Sequence, residues 1–133
     1  MTEPDDNEQL AEAYRATTYH GMPPGEPNWQ IRIDEPSPVD GPMAYVTSDN
    51  PGSNQLPDHR NRQRRSTFRA DLRASGIEYI PGKSVADDGN WPDEHGVWLL
   101  DVDQSSAVDI ARRYGQNAIV WIDETGTVTL VYC

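Results

Sequence analysis

The chain has 133 residues, with 11 Lys and Arg against 22 Asp and Glu, a formal net charge of −11 and a mean hydropathy of −0.79. That length supports one hydrophobic core rather than two, and four Trp and six Tyr supply bulk for it although only 35 % of residues are apolar. The longest apolar runs, 97–100 and 118–122, are far short of the roughly 20 residues of a membrane span; the start MTEPDDNEQL lacks a signal-peptide pattern; and the single Cys133 makes no internal disulfide or zinc cage, so a cytoplasmic setting is expected.

Residues 1–6 read as a loose acidic start and 7–133 as one domain. Asn7 is placed to cap a helix ending near Ala16, with Leu10, Ala11 and Tyr14 on its buried side. Six prolines between Met22 and Pro42 exclude a helix there. Within that stretch Trp29, Ile31 and Ile33 alternate with polar residues, which is the pattern of a strand with one buried face. A further short strand near Tyr19 is left open. Met43–Thr47 reads as a second strand and 48–57 as a loop. Asp58 then caps a helix running to about Ser75, where Gly76 stops it. Asn61, Arg64, Phe68 and Leu72 share one face of that helix, so Asn61 and Arg64 look toward the core near its start.

The remaining elements are a short strand over 77–80, a loop over 81–96, a largely apolar and central strand over 97–102, and a helix over 105–114. That helix turns Val108, Ile110 and Ala111 inward. Strands over 117–123 and 127–132 follow, joined by a turn at Glu124-Thr125-Gly126. The order predicts a single compact α+β domain, or a mixed-sheet α/β one, with one mostly antiparallel or mixed sheet covered by about three helices.

Charge is unevenly spread. Six Arg against two Asp give 58–75 a charge of +4, which leaves −15 for the rest of the chain. One reading pairs these arginines with the protein's own carboxylates; the other makes an anion site of them. The acidic pI of about 4.5 argues against direct nucleic-acid binding.

Three segments form a recognisable set: Thr47-Ser48-Asp49-Asn50-Pro51-Gly52-Ser53; Asn61 and Arg64 with Phe68, Leu72 and Gly76; and Trp91-Pro92-Asp93-Glu94 leading to Tyr114-Gly115-Gln116-Asn117-Ala118-Ile119-Val120-Trp121. Over about residues 10–132 the chain resembles domain of unknown function 3293, a family of small bacterial proteins. The resemblance implies a compact single domain and no established activity. Two positions depart from the family pattern: Asp49 stands where an aromatic or apolar residue is usual, and Gly96 where a serine is common.

Two candidate sites emerge. A loop entering a helix N-terminus offers free N–H groups, so Asn50, Ser53, Asn61 and Arg64 are the expected anion contacts, with Arg64 closing the site. In the competing reading Asn50 and Asn61 only satisfy loop carbonyls, and Arg64 only pairs with Glu94. Glu94, Gln116 and Asn117 form the second group, lining one sheet end if their strands are neighbours. Glu94 is the one candidate base, and no catalysis is assigned. The acidic residues at 87–88, 93–94 and 101–103 lack metal-loop spacing, so no metal or cofactor is expected. The expected function is binding of a small anionic ligand, a nucleotide or sugar phosphate. The alternative is an acidic interaction or inhibitor module that presents a phosphate-like surface to a basic protein partner, and no membrane association is expected.

Overall fold

The structure is a computed structural model that describes residues 6–133. Among these residues three helices and seven strands follow in the order α1 (Asp6–Arg15), β1 (Thr17–Gly21), β2 (Trp29–Ile31), β3 (Met43–Thr47), α2 (Asp58–Ala74), β4 (Tyr79–Ala86), β5 (Glu94–Leu100), α3 (Gln104–Arg113), β6 (Ala118–Ile122) and β7 (Val128–Tyr132). The strands make one sheet in the order β2-β1-β4-β5-β3-β6-β7, antiparallel at every step. The sheet curls into a half-barrel, so the fold is α+β. The expected central strand is the middle one, β5.

Two interlocked crossovers put α2 and α3 on one face, while α1 lies beside the other. β3 and β4 both run antiparallel to β5 and are joined through α2, while β5 and β6 both run antiparallel to β3 and are joined through α3. Phe68 and Leu72 of α2 and Ala107, Ile110 and Ala111 of α3 pack on Ala44, Val46, Val97, Leu99 and Ile119. The period of two along each strand sends the alternate residues to the opposite, concave face, where Tyr19, Met43, Tyr45, Trp98, Val120 and Ile122 gather. All five residues of β3 are therefore buried, with helices on one side and the concavity on the other.

Several boundaries differ from the sequence reading, each for a local reason. The start over 1–6 lies outside the described residues except for Asp6, which is already helical, and Asn7 lies inside α1 rather than capping it. The segment around Tyr19 is a full strand, pairing with both β2 and β4. β2 stops at Ile31 because the chain turns at Asp34 (φ 67°), although Ile33 remains buried. Residues 81–96 are not a loop: β4 runs through Pro81 to Ala86 and β5 begins at Glu94. Pro81 is tolerated because its carbonyl accepts from Met22 N just past the end of β1, so the donor it lacks falls where that ladder has run out. Asp58 opens α2 without capping it, whereas Asp103 caps α3 by accepting from Ser106 N at 2.7 Å.

Candidate functional site

A cavity of about 400 Å³ lies inside the curl, on the face away from α2 and α3. Tyr19, Tyr45, Ser84 and Val120 line it from four strands, and Leu10 and Tyr14 of α1 line it from the side. Its polar end is built by the residues that follow β3, lead into or open β5 and precede β6: Asn50, Ser53, Trp91, Glu94, Gln116 and Asn117.

Tyr45 shapes the lining. A Cβ on Gly96 would stand 2.7 Å from the Tyr45 Cζ and hydroxyl, and one on Gly82, the cross-strand partner of Gly96, would stand 3.0 Å from the same ring. Two glycines thus seat the ring, whose hydroxyl donates to Glu94 O at 3.2 Å. A serine at 96 has no room here. Gly96→Ala is expected to cost about 2 kcal/mol in a denaturant titration, the usual range for overpacking. An unchanged midpoint would show that the ring is not held.

Asn50 is the hub of the polar end. It adopts the left-handed conformation (φ 48°, ψ 62°), which Asn tolerates better than most residues. Its N–H donates to Asn61 Oδ1 (3.0 Å), its Oδ1 accepts from Asn61 Nδ2 (2.9 Å) and Leu56 N (2.9 Å), and its Nδ2 donates to Glu94 Oε2 (2.8 Å). Trp91 Nε1 donates to the same Glu94 oxygen at 3.2 Å. Gln116 Nε2 donates to Asp49 O at 3.0 Å, and Asn117 Nδ2 to Ser53 Oγ at 2.9 Å. Gly115, left-handed at φ 71°, brings its carbonyl onto Gly52 N (2.7 Å), tying the turn at Pro51–Ser53 to the end of α3.

Five of the seven sequence-derived site residues, Asn50, Ser53, Glu94, Gln116 and Asn117, line this one cavity. β5 and β6 are not neighbours; β3 lies between them, and its continuation through Asn50 joins the two groups. Asn61 and Arg64 stand behind the site. Arg64 donates through Nε to Ser48 O (2.6 Å) and through Nη2 to Tyr114 O (2.5 Å), so it neither pairs with Glu94 nor lines the cavity. Arg64→Ala is accordingly expected to destabilise the fold by about 2 kcal/mol, the scale of lost charge-assisted bonds, while leaving occupancy of the cavity unchanged. Loss of ligand from a still-folded variant would reverse that assignment.

Sequence reasoning missed the neighbouring Arg65. It makes a two-pronged pair with Asp49 (2.7 Å to each oxygen), and Asp49, only 1 % exposed, also accepts from His95 N. The buried acid at 49 thus has its cation in Arg65. Sequence reasoning also missed Tyr45, Ser84 and Trp91 as cavity residues; the signal was the glycine pair 82 and 96, legible only once their strands are aligned. Arg60, Arg62, Arg69 and Arg73 are exposed, and none has an ion pair among the described residues.

Electrostatically the site is one-sided. Asp88 and Glu94 are the charged groups lining it, with no Arg, Lys or His. Burial raises the Glu94 carboxyl above its ordinary value; the hydrogen bonds from Asn50 and Trp91 and the more distant Arg65 charge oppose this, and the nearby Asp49 charge adds to it. Burial likewise raises the Tyr14, Tyr19 and Tyr45 hydroxyls, which therefore stay protonated as donors at neutral pH.

Fold and site together define a class: a small α+β domain whose curled antiparallel sheet encloses a cavity with one oriented carboxylate. The chain matches the family model described as "Protein of unknown function (DUF3293)" over residues 46–119, and it belongs to that family. The matched span carries α2, β4, β5, α3 and the whole polar end of the cavity, whereas α1 and β1, with Tyr14 and Tyr19, lie outside it. No curated protein and no solved structure matches the chain.

Proposed function

We propose that this domain binds a small organic molecule in the cavity of the half-barrel, with Glu94 as its recognition group. The observation that carries the reading is the placement of Glu94. Asn50 and Trp91 hold one carboxylate oxygen, Oε2, in a largely apolar enclosure of a volume typical of small-molecule sites. Ligand binding expected from the sequence is retained; its anionic half is not, because Arg64 and Arg65 are committed elsewhere and the lining offers carboxylates in their place. The test is thermal unfolding of the full chain against a chemically mixed set of small cationic, neutral and anionic compounds. A ligand at a hundred times its Kd adds about 2.7 kcal/mol, a shift of several degrees. Absence of any shift across the set would count against a binding cavity.

The same carboxylate fixes a pH dependence. Its folded-state pKa is raised, so the folded chain binds more protons than the unfolded chain between the ordinary glutamate value and the raised one. Stability from this group is full below that window and falls as pH climbs through it. Glu94→Gln keeps an oxygen for Asn50 and Trp91 to donate to, and is expected to flatten that decline and to equal or exceed the wild type in stability at neutral pH. Denaturant midpoints measured across the acidic-to-neutral range decide it; a variant clearly weaker than wild type at neutral pH would make Glu94 a stabilising group.

A further inference from the structure

The charge balance inside the cavity is incomplete. A carboxylate withdrawn from water is costly unless a cation meets it. Asp49, the acid next to Asn50, has such a cation in Arg65, and Arg64 is spent on two backbone carbonyls. Glu94 has neither. Its partners are an amide and an indole N–H, both on Oε2, while Oε1 accepts no hydrogen bond among the described residues. Around it stand the aromatic side chains of Tyr14, Tyr19, Tyr45 and Trp91, whose ring faces favour positive charge and whose edges supply apolar contact. An anionic ligand would meet like charge in a low-dielectric enclosure. A bare metal ion would lack ligands, since no group of three or more His, Cys, Asp or Glu is gathered among the described residues.

We propose that the cavity selects a small organic ammonium ion, with its charged nitrogen against the Glu94 carboxylate and its hydrocarbon body among the tyrosines. This rests on the cavity being a binding site and adds the class of ligand. The raised pKa of Glu94 agrees with the geometry, because a bound cation would return the carboxyl toward its ordinary value.

The experiment uses three probes of one shape and different charge: phenethylamine, phenethyl alcohol and 3-phenylpropionate. Each is titrated into the full chain at neutral pH and matched ionic strength and followed by ligand-observed NMR. The ammonium is expected to bind about tenfold or more tighter than the alcohol, with the carboxylate weakest. Glu94→Gln should bring amine and alcohol to within about twofold of each other, whereas Glu124→Gln, on an exposed turn, should leave the preference intact. Amine affinity should also fall as acid protonates Glu94. If the alcohol or the carboxylate binds wild type as well as the amine, or if the amine keeps its preference over the alcohol in Glu94→Gln, the ammonium assignment is overturned and the cavity reading stands. Equal losses from Glu94→Gln and Glu124→Gln would mean general attraction to an acidic surface and would also overturn it. Silence from all three probes overturns the ammonium assignment; silence from the wider thermal set as well removes the binding reading with it.

Discussion

Asn50→Ala should lower the free energy of unfolding by about 4 kcal/mol, a large part of the 5–15 kcal/mol typical of a domain. The substitution removes the acceptor of Leu56 N and Asn61 Nδ2 and the donor to Glu94. Buried groups left without partners cost about 1–3 kcal/mol each. It also forces alanine into a left-handed conformation, worth about 1 kcal/mol more. Asn50→Gly relieves only that backbone part and should recover about 1 kcal/mol. A double-mutant cycle with Asn61→Ala isolates the network: because each residue's amide bonds the other, the two losses should be markedly less than additive. Strict additivity would show that the two asparagines act separately.

Arg65→Ala is the second large effect, expected at about 3 kcal/mol, and it should exceed the cost of Asp49→Asn. The asymmetry follows from burial. Asp49 is almost fully enclosed, so removing Arg65 strands a carboxylate that cannot reach water; Arg65 is a quarter exposed and can turn outward when its partner is neutralised. Asn at 49 also keeps an oxygen for His95 N. Arg65→Lys should recover only part of the loss, since an ammonium cannot reproduce the two parallel bonds. Denaturant midpoints for the three variants decide the order, and a larger loss for Asp49→Asn than for Arg65→Ala would overturn it.

Much of this architecture is legible in the residues themselves. The Asn61, Arg64, Phe68, Leu72 stripe fixes which side of α2 faces the sheet, and proline spacing excludes helix from 22–42. What failed was long-range pairing. Pro81 and Gly82 read as loop because their local signals are turn signals, and only the register against Met22 and Gly96 shows why a strand accepts them. Arg64 and Arg65 are adjacent and chemically identical, yet one anchors carbonyls and the other a buried acid. No spacing rule separates them, because the distinction depends on which backbone atoms the packed loops bring within reach. The candidate residues at 50, 53, 94, 116 and 117 converged for a simpler reason: they lie in the segments that leave β3, open β5 and lead into β6, all at the same end of the antiparallel sheet.

The strand order also dictates when the chain can fold. β3 is buried on both faces, yet its ladder partners, β5 and β6, lie about fifty and about seventy-five residues downstream. On an emerging polypeptide Met-Ala-Tyr-Val-Thr therefore waits as an unpaired apolar stretch until most of the domain has been made, a condition that favours slow assembly and wrong intermolecular pairing. Its flanks answer that hazard: Pro36, Pro38 and Pro42 precede it, and Asp49 and Pro51 follow it, residues that resist strand extension and edge-to-edge association. The proline-rich approach to β3 thus serves the unfinished chain as a gatekeeper, and shortening it should raise aggregation during synthesis more than it lowers the stability of the completed domain.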